Sequence, residues 1–161
     1  MDTHSNVGKM ITALLEVEGG YVDDPLDSGG ETNFGISKRQ FPNLDIKGLT
    51  EAKARGIYER TYFYGPGYDK LPTYLQPIMF DYGVNSGPMI ATKALQRVVR
   101  VKEDGVLGPK TLAAVEAYPE PERLVKKVAI ERLTMLMRLV GRRPKDVRFA
   151  RGWVSRVMDF V

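Results

Sequence analysis

Residues 7–36, VGKMITALLEVEGGYVDDPLDSGGETNFGI, decide the fold class. Val7, Met10, Ile11, Leu14 and Leu15 recur at the i, i+3, i+4, i+7, i+8 spacing of an amphipathic helix, predicted over residues 7–18. Gly19-Gly20 ends it, because glycine is the common residue just past a helix C-terminus. From Tyr21 to Gly30 the chain is rich in the turn formers Asp, Pro, Gly and Ser. Thr32-Asn33-Phe34-Gly35-Ile36 then alternates as a short strand in a small hairpin does. A helix, a polar loop and a β segment too small for a sheet domain predict a mainly α chain of the α+β kind.

The rest of the chain extends that expectation. Thr50, with Glu51 behind it, caps a helix through Thr61 that presents Ala54, Ile57, Tyr58 and Thr61 on one side. An aromatic, glycine-rich bend over residues 62–68 follows. Residues 72–84 and 88–99 read as two helices broken at Asn85-Ser86-Gly87. Asp104-Gly105 makes a turn, and Pro109 takes the first position of a helix through Ala117. Pro119 and Pro121 restart the chain into a longer helix over 122–139, and a last helix covers 147–160. The expected architecture is a helical bundle with one small β-hairpin beside the active site. Its subdomains are expected at residues 1–90 and 91–161, packed as one globular unit.

Composition removes several functional classes. With 161 residues, no Cys and a single His, His4, the chain has no disulfide framework, no thiol nucleophile and no basis for a His-centred metal site or a Ser/His/Asp triad. Catalysis, if present, runs on carboxylates, hydroxyls, amides or Lys, and neither metal nor cofactor is expected. No run approaches the ~18 apolar residues of a membrane span. The N-terminus shows no basic, apolar and cleavage-site succession, so synthesis in the cytoplasm without an export signal is expected. The net charge of +4 is uneven: residues 1–121 hold 13 basic and 16 acidic side chains, net −3, whereas residues 122–161 hold 11 and 4, net +7. A cationic end suggests an anionic partner or a well-solvated helix face.

Glu18 stands out in the first helix. It lies four residues after Leu14 and seven after Ile11, on the apolar stripe, while Glu16 is turned about 160–200° away. Burial and the negative end of a helix both disfavour an ionised carboxylate, so its pKa is expected to rise, as a general acid requires. Cleavage of a sugar bond needs such an acid and a second group across the ring. Asp23, Asp24, Asp27 and Glu31 follow within thirteen residues, with Thr32 and Asn33 placed to position a water. The same Asp residues also suit turn formation, and their spacing is not that of an EF-hand.

Glu18-Gly19-Gly20-Tyr21-Val22 followed by residues 23–36 resembles the signature of glycoside hydrolase family 108, peptidoglycan-cleaving N-acetylmuramidases found mostly as phage endolysins. The resemblance implies a lysozyme-like fold and makes Glu18 the catalytic residue, the one the helix spacing selects. A looser likeness links the chain to the phage lysozymes, whose motif is Glu, eight residues, Asp, five residues, Thr. Here Asp27 follows Glu18 after eight residues and Thr32 follows Asp27 after four, so Asp27 and Glu31 compete as second carboxylate. Phe80-Asp81-Tyr82-Gly83-Val84-Asn85-Ser86-Gly87 is similar to the family's later helix and turn. Residues 104–111 and 151–157 resemble the small peptidoglycan-binding region appended to these enzymes.

The resulting expectation is a muramidase that cleaves the β-1,4 bond between N-acetylmuramic acid and N-acetylglucosamine. Glu18 is its general acid, Asp27, Glu31 and Thr32 its further catalytic candidates, and Tyr21, Asn33, Asp81 and Asn85 its substrate-binding candidates. Tyr58, Tyr62, Phe63, Tyr64, Tyr68 and Tyr74 offer rings for core packing or for sugar stacking. Peptidoglycan is the expected partner, with an anionic envelope surface meeting the basic C-terminal helices, no nucleic acid, and a monomeric state. The resemblance implies synthesis in a host cytoplasm and action on the wall, in the periplasm of a Gram-negative host, after holin-type release. Two rival classes are a non-catalytic wall-binding protein and a basic nucleic-acid-binding helical protein. The second is motivated by the pI near 9.3 but leaves the Glu18–Tyr21 segment unexplained.

Overall fold

The apolar stripe of the first segment forms helix α1, Thr3–Val17, with Val7, Ile11 and Leu14 buried. The computed structural model describes residues 3–17, 20–23 and 30–161, with the side chains of 3–5 and 17 left aside. The chain divides into two compact units, residues 1–63 and 64–161.

In the first unit, strands β1, Thr32–Asn33, and β2, Ile36–Ser37, pair antiparallel with Thr32 opposite Ser37 and Asn33 opposite Ile36. Val22 adds a third rung by exchanging two 2.8 Å backbone hydrogen bonds with Thr32. Helix α2, Glu51–Tyr58, starts at Thr50, whose hydroxyl accepts from the Lys53 N–H at 3.4 Å. Residues Glu59–Tyr64 continue as a π-helical turn, where the sequence pattern predicts α-helix to Thr61 and then a bend. Such wide turns are single insertions within helices. Tyr58, Tyr62 and Phe63 become core residues, with the Tyr58 and Tyr62 rings 5.8 Å apart.

The second unit is helical throughout: α3, Gln76–Ser86; α4, Pro88–Val98; α5, Pro109–Glu116; α6, Pro121–Arg142; and α7, Val147–Met158. Helix α3 starts four residues later than the expected Pro72. Pro77 lacks an N–H and is accommodated only in a first turn, so the chain turns over 72–75 and the helix begins at Gln76. Gly87, at φ 93°, makes the break between α3 and α4 in a conformation that favours glycine. Helices α3, α4 and α6 pack on one another and α7 packs on α6. The chain is therefore mainly α, with one two-stranded sheet among the described residues. No helix among the described residues is long and apolar enough to cross a membrane.

Two polar clusters hold this unit. Asp81, buried on α3, forms an ion pair with Arg132 Nη1 of α6 at 2.7 Å, accepts a hydrogen bond from Arg156 Nε of α7 at 2.9 Å and lies 2.8 Å from Arg156 Nη2. The Arg132 guanidinium lies 5.3 Å from the centroid of the Tyr82 ring. On α4, the buried Gln96 amide donates to Asp104 Oδ1, Val106 O and Thr111 Oγ1, and accepts from the Gly105 N–H. That Gln96 hydrogen bond, with the Val106 N–H, holds the Asp104 carboxyl below the usual carboxylate range. Removing one member of a buried ion pair strands its partner in a medium that solvates it poorly. Asp81→Asn is therefore expected to lower unfolding stability by about 3–5 kcal/mol, read from the urea midpoint.

Candidate active site

Glu18 and Asp27 lie outside the described residues. The remaining candidates divide between the two units. In the first unit, the Val22–Thr32 bridge brings Tyr21 beside Glu31, and the Tyr21 hydroxyl donates to Glu31 Oε1 at 3.1 Å. Tyr21 is exposed, and its phenol is pushed up from the ordinary value by desolvation, then by the hydrogen bond to Glu31 and the charges of Glu31 and Asp23. Thr32 takes part through its main chain, and its hydroxyl lies 3.4 Å from the Gly30 carbonyl. The Asn33 amide is turned into the interior, where it donates to the carbonyls of Ile46 at 3.1 Å and Leu49 at 3.4 Å. It anchors the loop between the hairpin and α2.

Asp81 and Asn85 belong to the second unit. Asp81 is committed to Arg132 and Arg156, and the exposed Asn85 amide folds back to the Asp81 carbonyl at 2.8 Å. Tyr58, Tyr62, Phe63 and Tyr68 are buried as packing residues, while Tyr74 stays 39% exposed. Among the described residues no three His, Asp or Glu side chains converge to hold a metal ion.

Sequence reasoning did not single out a groove in the first unit. It has a volume of about 250 Å³ and is lined by Thr12, Leu15, Glu16, Gly20, Phe34, Glu51 and Arg55. Its polar wall is organised: Arg55 Nε and Nη2 both reach Glu51 Oε1 at 2.9 Å, and Arg55 Nη1 donates to the Thr12 hydroxyl at 3.1 Å. Thr12 in turn donates to the Gly8 carbonyl, one turn back on α1. Opposite in character is Phe34, at the tip of the hairpin. Phe34 and Gly35 have φ of 52° and 73°, the pair of positive values that defines a type I′ turn. The Tyr58 hydroxyl donates to the Phe34 carbonyl at 2.8 Å and fixes the tip against α2. The signal for this turn was present in the sequence as two residues ending in Gly between the strands.

Two family models match successive parts of the chain. Glycosyl hydrolase 108 matches residues 11–87, and a predicted peptidoglycan domain matches residues 90–158. No curated protein matches the chain. Among solved structures it is similar to that of Brucella abortus SagA, with a TM-score of 0.84 and 36% sequence identity over 98% of this chain and 92% of that one.

The Tyr21–Glu31 contact has a titration signature. A carboxylate beside a phenol disfavours the phenolate, so Glu31→Gln is expected to move the Tyr21 titration down toward the ordinary value near 10. Tyrosine Cζ chemical shifts followed against pH, with Tyr21→Phe for assignment, measure it. An unchanged titration would mean that the two side chains do not meet in solution.

Proposed function

The chain belongs to the glycosyl hydrolase 108 family, with a peptidoglycan domain on its C-terminal side, and on that premise we propose an N-acetylmuramidase of the endolysin type. As a glycoside hydrolase acting on peptidoglycan, it is assigned here the β-1,4 bond between N-acetylmuramic acid and N-acetylglucosamine. Glu18 is the general acid that protonates the glycosidic oxygen as the bond to the anomeric carbon breaks. The second carboxylate, Glu31 or Asp27, then serves the oxocarbenium-like centre, by steering a water or by attacking directly. The observation that carries this proposal is the Tyr21–Glu31 hydrogen bond beside the Val22–Thr32 bridge. It directs the Glu31 carboxylate toward Tyr21, the last residue of Glu18-Gly19-Gly20-Tyr21.

The test compares the parent with Glu18→Gln on isolated peptidoglycan, reading new reducing ends by mass spectrometry after borohydride reduction. The amide keeps the shape and removes the transferable proton. The parent is expected to release fragments ending in reduced muramic acid, and the variant to be at least ~100-fold slower. No sugar ends from either protein would overturn the hydrolase assignment. Equal release from both would overturn the choice of acid.

The proposal includes a place of action, the wall of a Gram-negative host reached after holin-type release, and a monomer that approaches anionic envelope surface. Support for the last point comes from α7, where Val147, Val154 and Met158 are exposed along one stripe at i, i+7, i+11, with Arg148 and Arg151 exposed among them. An apolar stripe edged by arginines suits the boundary of an anionic bilayer. The protein is expected to sediment with vesicles containing phosphatidylglycerol at low salt and to be released as salt screens the charges. Arg148→Glu with Arg151→Glu is expected to abolish sedimentation and leave hydrolysis of isolated peptidoglycan unchanged.

A further inference from the structure

We propose that the groove at the hairpin tip is a subsite for one N-acetylhexosamine ring of the glycan, with the Phe34 side chain as its stacking platform. The proposal rests on the glycan substrate assigned above and adds a residue and a place for it. Three observations lead there.

The first is the backbone of Phe34. Both central positions of a type I′ turn require positive φ, which Asn and Gly adopt readily and a bulky aromatic residue does not. Phe34 nevertheless holds φ 52°. Arg100, the other non-glycine residue with positive φ among those described, has a local reason: it closes α4, with the Val101 N–H bonded to Gln96 O at 3.0 Å. What the fold uses of Phe34 is its carbonyl, which accepts from Tyr58 and which any residue would supply. Strain kept at one position in an otherwise relaxed hairpin points to a role for the ring itself.

The second is burial. Phe34 is only partly buried and lines the groove. The core of this unit is made by fully covered residues such as Ile11, Ile36 and Ile46.

The third is the polar part of the lining. Pyranose rings combine an apolar C–H face with a rim of hydroxyls, so a sugar site pairs a flat aromatic surface with carboxylates and hydroxyls. Glu16, Glu51 and Thr12 supply acceptors, and Arg55, bonded to both Glu51 and Thr12, keeps two of them in place. The volume of about 250 Å³ lies below the ~300–1,000 Å³ typical of drug-sized ligand sites and suits a single ring rather than a strand.

The experiment sets stability against binding. Phe34→Asn supplies the preferred residue for this turn, so its Tm is expected to equal or exceed that of the parent. Its affinity for an N-acetylglucosamine oligomer, measured by calorimetry in the Glu18→Gln background, is expected to fall about tenfold. Phe34→Tyr keeps the flat face and is expected to bind as the parent does. Phe34→Leu keeps apolar bulk and the same backbone demand, and is expected to bind as weakly as Phe34→Asn, which separates the loss of the ring from any change in the turn. Parent-like binding by Phe34→Leu and Phe34→Asn would overturn the proposal, as would a parent that binds no oligomer. Its fate is distinguishable from that of the hydrolase assignment. Phe34-dependent binding without release of sugar ends would remove the enzyme and keep the subsite, whereas hydrolysis and binding indifferent to residue 34 would do the reverse.

Discussion

One carboxylate facing two guanidinium groups sets the terms for the helical half of the molecule. Arg132 is 3% exposed on the long helix α6, a depth that a charged side chain tolerates only when paired. Asp81 supplies the pair and also receives Arg156 from α7, so three helices are tied at one point. The Tyr82 ring lies against Arg132, while Arg156, at 26% side-chain exposure, keeps access to water. A point contact of this kind fixes the rotation of α6 and α7 more sharply than apolar packing does, because a guanidinium out of reach of its carboxylate is costly and a leucine displaced by the same amount is not.

The hairpin region is built on another principle. Its geometry is held by main-chain bonds, the Val22–Thr32 exchange, the β1–β2 pairing and the Tyr58 contact to the Phe34 carbonyl, together with the inward-turned Asn33 amide. Side chains that are not needed for holding are thereby available for chemistry. Tyr21 and Glu31 orient each other at the surface, and the Phe34 ring, Glu16 and Glu51 face a groove. Functional groups on a backbone-defined scaffold can be exchanged without loss of the fold.

How much of this was visible in the sequence follows from the range of each interaction. Helices announced by local periodicity, such as the stripe of Val7, Ile11 and Leu14, were present where expected. So were the hairpin and the break at Gly87, each set by a few neighbouring residues. The start of α3 was displaced because Pro77 governs it, and the earlier Pro72 drew the boundary forward. The π-helical turn after Tyr58 has no distinct residue pattern. Asn33 read as a polar residue free for water or sugar, since nothing local reveals that carbonyls of Ile46 and Leu49 await its amide. Asp81 was equally opaque, because its guanidinium partners come from helices far along the chain. Phe34 is the instructive case: Phe-Gly stood in plain view, and its importance emerges only from asking which conformation a two-residue hairpin connection imposes.

The position of Asp81 also separates evolutionary modules from folding modules. Kinship assigns α3 to the hydrolase, whose match runs to residue 87, whereas compactness assigns it to the unit that begins at Tyr64. A gene divided between residues 87 and 90 would leave Asp81 on one product and both of its arginines on the other. The shorter product would carry an acid without the two arginines that neutralise it, and the longer would lack the carboxylate that Arg132 and Arg156 both reach. Recombination at that joint would therefore separate one member of a buried ion-pair cluster from the other two, so the boundary between the families is not a boundary between independent sets of contacts.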